Sequence, residues 1–272
     1  QPRSRGLGDV YKRQPLDRDE LRRRLVDTGL YERLTVVDST GSTNADLLQA
    51  AADGAPTFTA ELAEFQDSGR GRRGRAWVTP RSSQVTFSIL VRPRTLDHFG
   101  SLSLMAGLAL VDALRPLLHE RVALKWPNDV LVSGNKICGI LGEAQALATN
   151  HPEVVLGCGL NHSLTREELP VDNATSLALE GIDVDRTELS IAVLTAMRTR
   201  LGAWSRGDIH MDDYRAVCST IGLDVRVMRP GTDDLLGRAI DVTDEGFLVV
   251  RDERGERHEL SAGEVHHVRP LE

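Results

Sequence analysis

The chain has 272 residues, with 33 basic and 40 acidic side chains and a formal net charge of −7. A surface that is acidic overall excludes general polyanion binding, so any attraction for phosphate has to be local. The length allows one large domain, or a medium domain with a small appendage. Three widely spaced cysteines (Cys138, Cys158 and Cys218) form neither a CxxC pair nor a zinc-type spacing with histidine, which points to idle thiols in a reducing, cytoplasmic setting. No signal-peptide pattern opens the chain, and no apolar run is expected to approach the length needed to cross a bilayer.

The opening stretch "QPRSRGLGDVYKRQ" lacks an initiator Met and has no helical or strand periodicity. It resembles translated adaptor read-through, so residues 1–14 are expected to be a non-native leader outside the fold. A short helix is predicted within residues 15–33, from Leu21 and Leu25 at helical spacing, acidic residues in the first turn and Gly29 as a stop. Residues 34–39 read as a strand. Residues 42–54 read as a helix capped by Ser42 or Thr43 and closed by Gly54. Residues 57–65 read as a further strand, bounded by Pro56 and a Gly-rich stretch.

Beyond that stretch, 84–91 reads as a strand and 102–118, apolar almost all round, as a core helix. Four short strands follow at 122–126, 130–133, 136–144 and 153–161, with "SGN" (133–135) suited to a hairpin turn. An amphipathic helix over 185–204 and a shorter one over about 208–218 come next. The texture changes at Ile221 to short strands punctuated by Pro230-Gly231, Glu245-Gly246 and Gly255, the pattern of a small β-barrel. Adjacent strands that do not alternate with long helices exclude a simple doubly wound fold and favour α+β.

The most unusual stretch is "GRGRRGRAW" (69–77). Gly69, Gly71 and Gly74 satisfy G-x-G-x-x-G, but a dinucleotide fingerprint needs a helix to start at its last glycine. Here Pro80, a polar turn and a strand follow instead. No Gly-Lys-Ser/Thr of a phosphate-binding P-loop occurs. An RNA-contacting loop, with Arg on phosphate and Trp77 stacked on a base, is a serious rival, opposed by the acidic total charge. Three other stretches stand out by residue type. "GSTN" (41–44) puts two hydroxyls and an amide at a helix start, "KWPNDVLVSGNKICGILGE" (125–143) brings Lys136 into an apolar strand, and "GLN" leaves Asn161 at the end of a buried strand. Each has an ordinary structural explanation when taken singly.

Together and in this order, they resemble the motifs of the biotin protein ligases: Ser42-Thr43-Asn44, Gly69 to Trp77, Lys125 to Asp129, Lys136 to Glu143, and Gly157 to Asn161, with "ATSL" at 174–177 as a further match. The likeness covers about residues 34–270. It implies a mixed-sheet catalytic domain over 34–219, backed by helices as in class II synthetases, and an SH3-like barrel over 220–272. The activity implied is attack of the biotin carboxylate on the α-phosphate of ATP, then transfer of biotin from biotinyl-AMP to a lysine of a biotin carboxyl carrier protein, with Mg²⁺ on the phosphates.

Carried over by position, Ser42, Thr43 and Gln66 would bond the ureido ring, with Asn44 supporting that corner. Arg70, Gly71 and Arg72 would line the biotin and phosphate side of the loop, Arg72 touching the reacting groups. Arg73 and Arg75 would reach the triphosphate or the acceptor, and Trp77 would pack on adenine. Lys136 would bond the biotin carboxylate and then the adenylate carbonyl. Asn128 and Asp129 would position phosphates, Asp129 as the metal ligand, and Asn161 would meet the nucleotide.

Gly142, and "QDS" at 66–68, depart from the family's commoner residues without removing a proposed ligand. Some family members repress transcription through an N-terminal DNA-binding domain. Residues 15–33 are too few for one, so a ligase-only form without DNA binding is expected. A homodimer stays open, and lipoate or octanoate transfer on the same fold is the rival enzyme.

Overall fold

The structure is a computed structural model that describes residues 13–77, 80–93, 96–146, 152–228, 233–261 and 264–267. Residues 1–12 of the expected leader and the Pro230-Gly231 turn lie outside the described residues. The first helix, α1 (Arg18–Leu21), is capped by Asp17, whose carboxylate accepts from the Glu20 N–H at 2.9 Å. It runs directly into a π-helical segment, Arg22–Val26, which keeps Leu21 and Leu25 fully buried. Gly29, at φ 77°, ends it as expected.

The larger layer is a seven-stranded mixed sheet in the order β1-β2-β3-β7-β6-β5-β4. Its strands are β1 (Arg33–Val37), β2 (Thr59–Ala63), β3 (Gln84–Val91), β4 (Val122–Lys125), β5 (Asp129–Val132), β6 (Asn135–Gln145) and β7 (Glu153–Asn161). Only β1 and β2 are parallel; every other neighbouring pair is antiparallel. β2 begins later than predicted, because Phe58 at φ 57° interrupts the extended backbone. β3 is buried along its whole length, as a central strand covered on both faces must be. Ser133 (φ 50°) and Gly134 (φ 84°) form the two-residue turn between β5 and β6, as "SGN" suggests.

Helix α2 (Thr43–Ala52) packs on β2, β3 and β7. Ser42 occupies its N-cap position with extended backbone, yet neither it nor Thr43 serves as the expected cap: Ser42 makes no capping bond, and Thr43 is already the first helical residue. The other face is covered by α3 (Leu102–Leu118) and α4 (Arg186–Trp204), which pack on each other. Asp185 caps α4 by accepting from the Thr187 and Glu188 N–H groups. Contrary to expectation, the helical stretch Phe99–Arg121 is long and apolar enough to cross a membrane, but its most apolar part is 67% buried inside the fold. It is the core helix of this domain.

Helix α5 (Met211–Val217) leads to an antiparallel sheet ordered β11-β10-β9-β8-β12, comprising β8 (Asp224–Met228), β9 (Leu235–Val242), β10 (Leu248–Arg251), β11 (Arg257–Leu260) and β12 (Glu264–His267). Among the described residues β11 and β12 do not pair, so the expected barrel is an open five-stranded sheet. This sheet is fastened to the seven-stranded layer through Trp126. The Trp126 indole N–H donates to the Gly246 carbonyl at 2.9 Å, and its backbone N–H donates to Thr220 Oγ1 at 3.1 Å. Gly246 is required there: it has φ 89°, and a Cβ would lie 2.8 Å from the Gly100 backbone.

A buried ion pair holds the start of the described chain. Arg186 and Glu64 meet at 2.5 Å with side chains only 4% and 3% exposed. Glu64 also accepts from the Leu16 N–H and the Ser82 hydroxyl, both at 2.7 Å. Arg186 donates to the carbonyls of Gln14 and Gln84. Gln14 and Arg13, which the sequence reading placed in the leader, are thus bonded to the folded domain, Arg13 through the Ser163 carbonyl and Glu168.

Two stability predictions follow from buried charge. Arg186→Met leaves Glu64 without its cation, and chemical denaturation should show a loss of about 3–5 kcal/mol; a loss below about 1 kcal/mol would mean that the pair does not hold the segment. The second concerns Glu61, whose carboxyl is pushed up to about 8 by burial and by the hydrogen bond and charge of Asp46. The folded chain holds that proton while the unfolded chain loses it near 4.5. The associated stability is therefore complete below that pH and is lost as pH rises through about 8. Glu61→Gln should flatten the fall in Tm between roughly pH 5 and 8, and parallel Tm curves for the two proteins would rule this out.

Candidate active site

The sheet and the loop between β2 and β3 enclose a cleft of about 370 Å³. Its floor is a bare backbone patch on β6 and β7. Gly139 and Gly159 stand opposite each other in register, and the Trp77 indole lies over them. A Cβ at Gly159 would come within 2.3 Å of Trp77 Nε1, and one at Gly139 within 3.1 Å of the ring. Gly157 is equally constrained, since its Cβ would sit 2.2 Å from Asn44 Oδ1. Glycine is needed at these positions because another group occupies the space of a side chain.

One end of the cleft is polar and uncharged. The Thr43 N–H and hydroxyl both donate to Gln66 Oε1, at 2.8 and 3.0 Å. The Thr43 hydroxyl also meets Ser88 Oγ at 2.7 Å, and Ser88 donates to Asn44 Oδ1 at 2.6 Å. Asn44 Nδ2 then donates to Glu143 at 2.7 Å, tying α2 to β6. Asn44 is thus a buried strut, while Ser42, Thr43 and Gln66 line the cleft.

The arginine stretch folds as a small closed hairpin. Gly71 N–H donates to Arg75 O at 2.7 Å, Trp77 N–H donates to Gly69 O at 2.7 Å, and Arg70 and Ala76 form an antiparallel bridge around a 3₁₀ turn at Arg72–Gly74. The glycine requirement falls on Gly69, where a Cβ would lie 2.2 Å from the Trp77 carbonyl, and on Gly74 at φ 71°. Gly71, by contrast, has room for a Cβ at 3.6 Å from its nearest neighbour. Arg72 is half-buried and donates to Asn128 Oδ1 at 3.2 Å, and Asn128 Nδ2 donates to the Ile140 carbonyl at 2.8 Å. Arg75 is exposed at the mouth, and the Arg73 side chain lies outside the described residues.

Lys136 enters from β6, anchored by backbone bonds to Asn173 and Thr175, so "ATSL" braces it. Its ammonium lies 2.6 Å from Asp129 Oδ1 and 5.5 Å from the Trp77 ring centroid. Trp77 Nε1 donates to Gln84 Oε1 at 3.0 Å, and Gln84 in turn donates to Asn161. From the C-terminal sheet, Val265 and His266 of β12 reach the cleft beside Lys125. Among the described lining residues Arg70, Arg72, Arg75, Lys125 and Lys136 face a single carboxylate, Asp129, so a chain of negative net charge concentrates cations here. Asp129 Oδ1 is used by Lys136. A divalent cation held mainly by substrate phosphates, with one carboxylate oxygen from Asp129, fits this donor set.

All the expected site residues whose side chains are described thus gather around one cleft. The sequence reading missed Gln84, Ser88, Gly139 and the β12 contribution. Gln84, Thr86 and Ser88 recur every second residue along an otherwise apolar strand, a polar stripe on one face that could have been noticed. Nothing in the local pattern links β12 to a site some 130 residues away in sequence.

Comparison with known proteins agrees with this geometry. Residues 36–161 match the Biotin/lipoate A/B protein ligase family and residues 220–268 match the Biotin protein ligase C terminal domain. A biotin–[acetyl-CoA-carboxylase] ligase of Mycobacterium tuberculosis is 41% identical over 94% of this chain and 97% of its own length. One from Paracoccus denitrificans is 31% identical over 83% and 97%. The biotin protein ligase of Aquifex aeolicus, solved in complex with biotin and ATP, superposes with a TM-score of 0.74 at 26% identity, covering 88% of this chain and all of that one. With a relative this similar matched along nearly its whole length, the chain belongs to the biotin protein ligases of the Biotin/lipoate A/B protein ligase family.

Proposed function

We propose that this chain activates biotin with ATP as biotinyl-AMP and transfers it to a lysine of a biotin carboxyl carrier domain. The observation that carries this reading is the polarity of the cleft: a neutral hydrogen-bonding end at Thr43 and Gln66, and a cationic end at Arg72 and Lys136. Biotin has the same order, an uncharged ureido ring at one end and a carboxylate at the other. The three free, buried cysteines fit a reducing, cytoplasmic setting.

In the first step a biotin carboxylate oxygen attacks the α-phosphorus and the bond to the pyrophosphate oxygen breaks. Two anions approaching to about 4 Å repel by several kcal/mol in a partly desolvated site. Fixed guanidinium and ammonium groups offset that repulsion without reorganising as the reaction proceeds. Arg72, steadied by Asn128, would hold the carboxylate and α-phosphate together. Lys136 would release Asp129 for the biotin carboxylate, and in the second step would stabilise the charge developing on the same carbonyl oxygen.

In that second step the acceptor amine attacks the carbonyl, the anhydride C–O bond breaks, and AMP leaves. The hairpin of Gly69–Trp77 covers the labile anhydride and excludes water. Asp129 and the phosphates would hold Mg²⁺, which neutralises charge on the departing pyrophosphate. Trp77 would stack on adenine, with Asn161 at the base edge.

Biotin-dependent exchange of labelled pyrophosphate into ATP tests the reading directly. Exchange with biotin and not with lipoate is expected. Exchange with lipoate alone would install the rival enzyme, and exchange with neither acid would sink both. Lys136→Ala and Arg72→Ala should each lower biotinyl-AMP formation by about 10²- to 10³-fold with little change in Tm. Full synthesis in either variant would remove that residue from the chemistry.

A further inference from the structure

The groups around Trp77 form a hydrogen-bonded chain with a fixed direction. It runs from Trp77 Nε1 to Gln84 Oε1 (3.0 Å), from Gln84 Nε2 to Asn161 Oδ1 (2.5 Å), and from Asn161 Nδ2 to the Thr175 carbonyl (2.8 Å). Gln84 and Asn161 are each 3% exposed, and Thr86 Oγ1 adds a second donor to Gln84 Oε1 at 3.3 Å. An indole N–H can only donate and a backbone carbonyl can only accept. With a donor at one end and an acceptor at the other, a flipped amide at Gln84 or Asn161 would set like groups against each other. Both amides therefore have one permitted orientation, whereas an isolated Asn can turn at little cost.

Asn161 lines the cleft beside Trp77. After its internal bonds, one amide N–H and one lone pair of Oδ1 remain. That donor and acceptor, side by side in fixed order, match the amino group and adjacent ring nitrogen of adenine. Guanine presents the reverse order there, an acceptor at O6 beside a donor at N1–H, which only a turned amide would match.

We propose that Gln84 is a positioning residue for base recognition: with the Trp77 indole N–H it locks the Asn161 amide so that the site prefers adenine to guanine nucleotides. This rests on the reading that the cleft binds a nucleotide. Gln84 touches no reacting atom; it acts through its two neighbours. Arg186 holds the Gln84 backbone carbonyl at 3.1 Å, which fixes the strand end that carries it.

The test compares ATP with GTP in biotin-dependent pyrophosphate exchange for the natural sequence, Gln84→Met and Trp77→Phe. Gln84→Met removes both amide bonds at nearly constant volume. Trp77→Phe keeps a stacking ring and deletes the donor that sets the direction. In each variant the ATP-to-GTP ratio of kcat/KM should fall by about five- to a hundredfold, the discrimination that a good amide–adenine pair supplies. In Gln84→Met, kcat at saturating ATP and the Kd for biotin should stay within about twofold.

An unchanged ratio in either folded variant overturns the lock. So does a loss in Gln84→Met spread equally over biotin affinity, kcat and ATP affinity, because that is what a merely structural residue would give. Should Gln84→Met not fold, Trp77→Phe decides alone. Absence of exchange in the natural sequence would overturn the functional reading instead, so the two failures are distinguishable.

Discussion

The seat of one indole on two facing glycines organises the site. Gly139 on β6 and Gly159 on β7 are direct partners across an antiparallel ladder, so their missing side chains open a single flat patch. Trp77 fills it, with atoms closer to the glycine backbone than any Cβ would permit. Trp77 is the last residue of the arginine hairpin, so this contact brings Arg72 within reach of Asn128 and places the ring beside the Lys136 ammonium. A side chain at either glycine would lift the indole, and with it the loop that supplies most of the positive charge.

A second constraint joins the two sheets. Trp126 is buried to 1% exposure and its indole N–H bonds a carbonyl of the C-terminal sheet. The same segment continues into Asn128 and Asp129, so the "KWPND" run is both the joint and part of the cleft wall. Through that joint β12 is held where Val265 and His266 face the catalytic layer. A buried indole N–H without a partner is costly, so burial of the ring and docking of the sheet favour each other.

Much of the fold was legible locally. The strands over 84–91 and 153–161 and the helix over 102–118 emerge with their predicted bounds, because continuous apolar runs of strand or helix length leave few alternatives. Where local rules failed, a tertiary partner had won. Thr43 is a good N-cap by residue type, but its hydroxyl is drawn to Gln66 and Ser88. The helix over 102–118 has the composition of a membrane span, and its burial against the sheet and α4 makes it a core element. All three glycines of the loop fit one sequence pattern, whereas backbone proximity puts the tightest requirement on Gly69.

By itself the sequence determined the α+β class, the order of the elements, the arginine-rich stretch as the most unusual segment, and the residue types that gather around the cleft. Periodicity, turn chemistry and motif spacing all act over a few residues, and such information survives without coordinates. Only the tertiary structure decided that Lys136 pairs with Asp129, that Trp77 lies on bare backbone, and that Gln84 links Trp77 to Asn161. Those relations depend on strand register and on loops folding back over a sheet. Register is fixed by packing the whole apolar face at once, and no short stretch of sequence contains it.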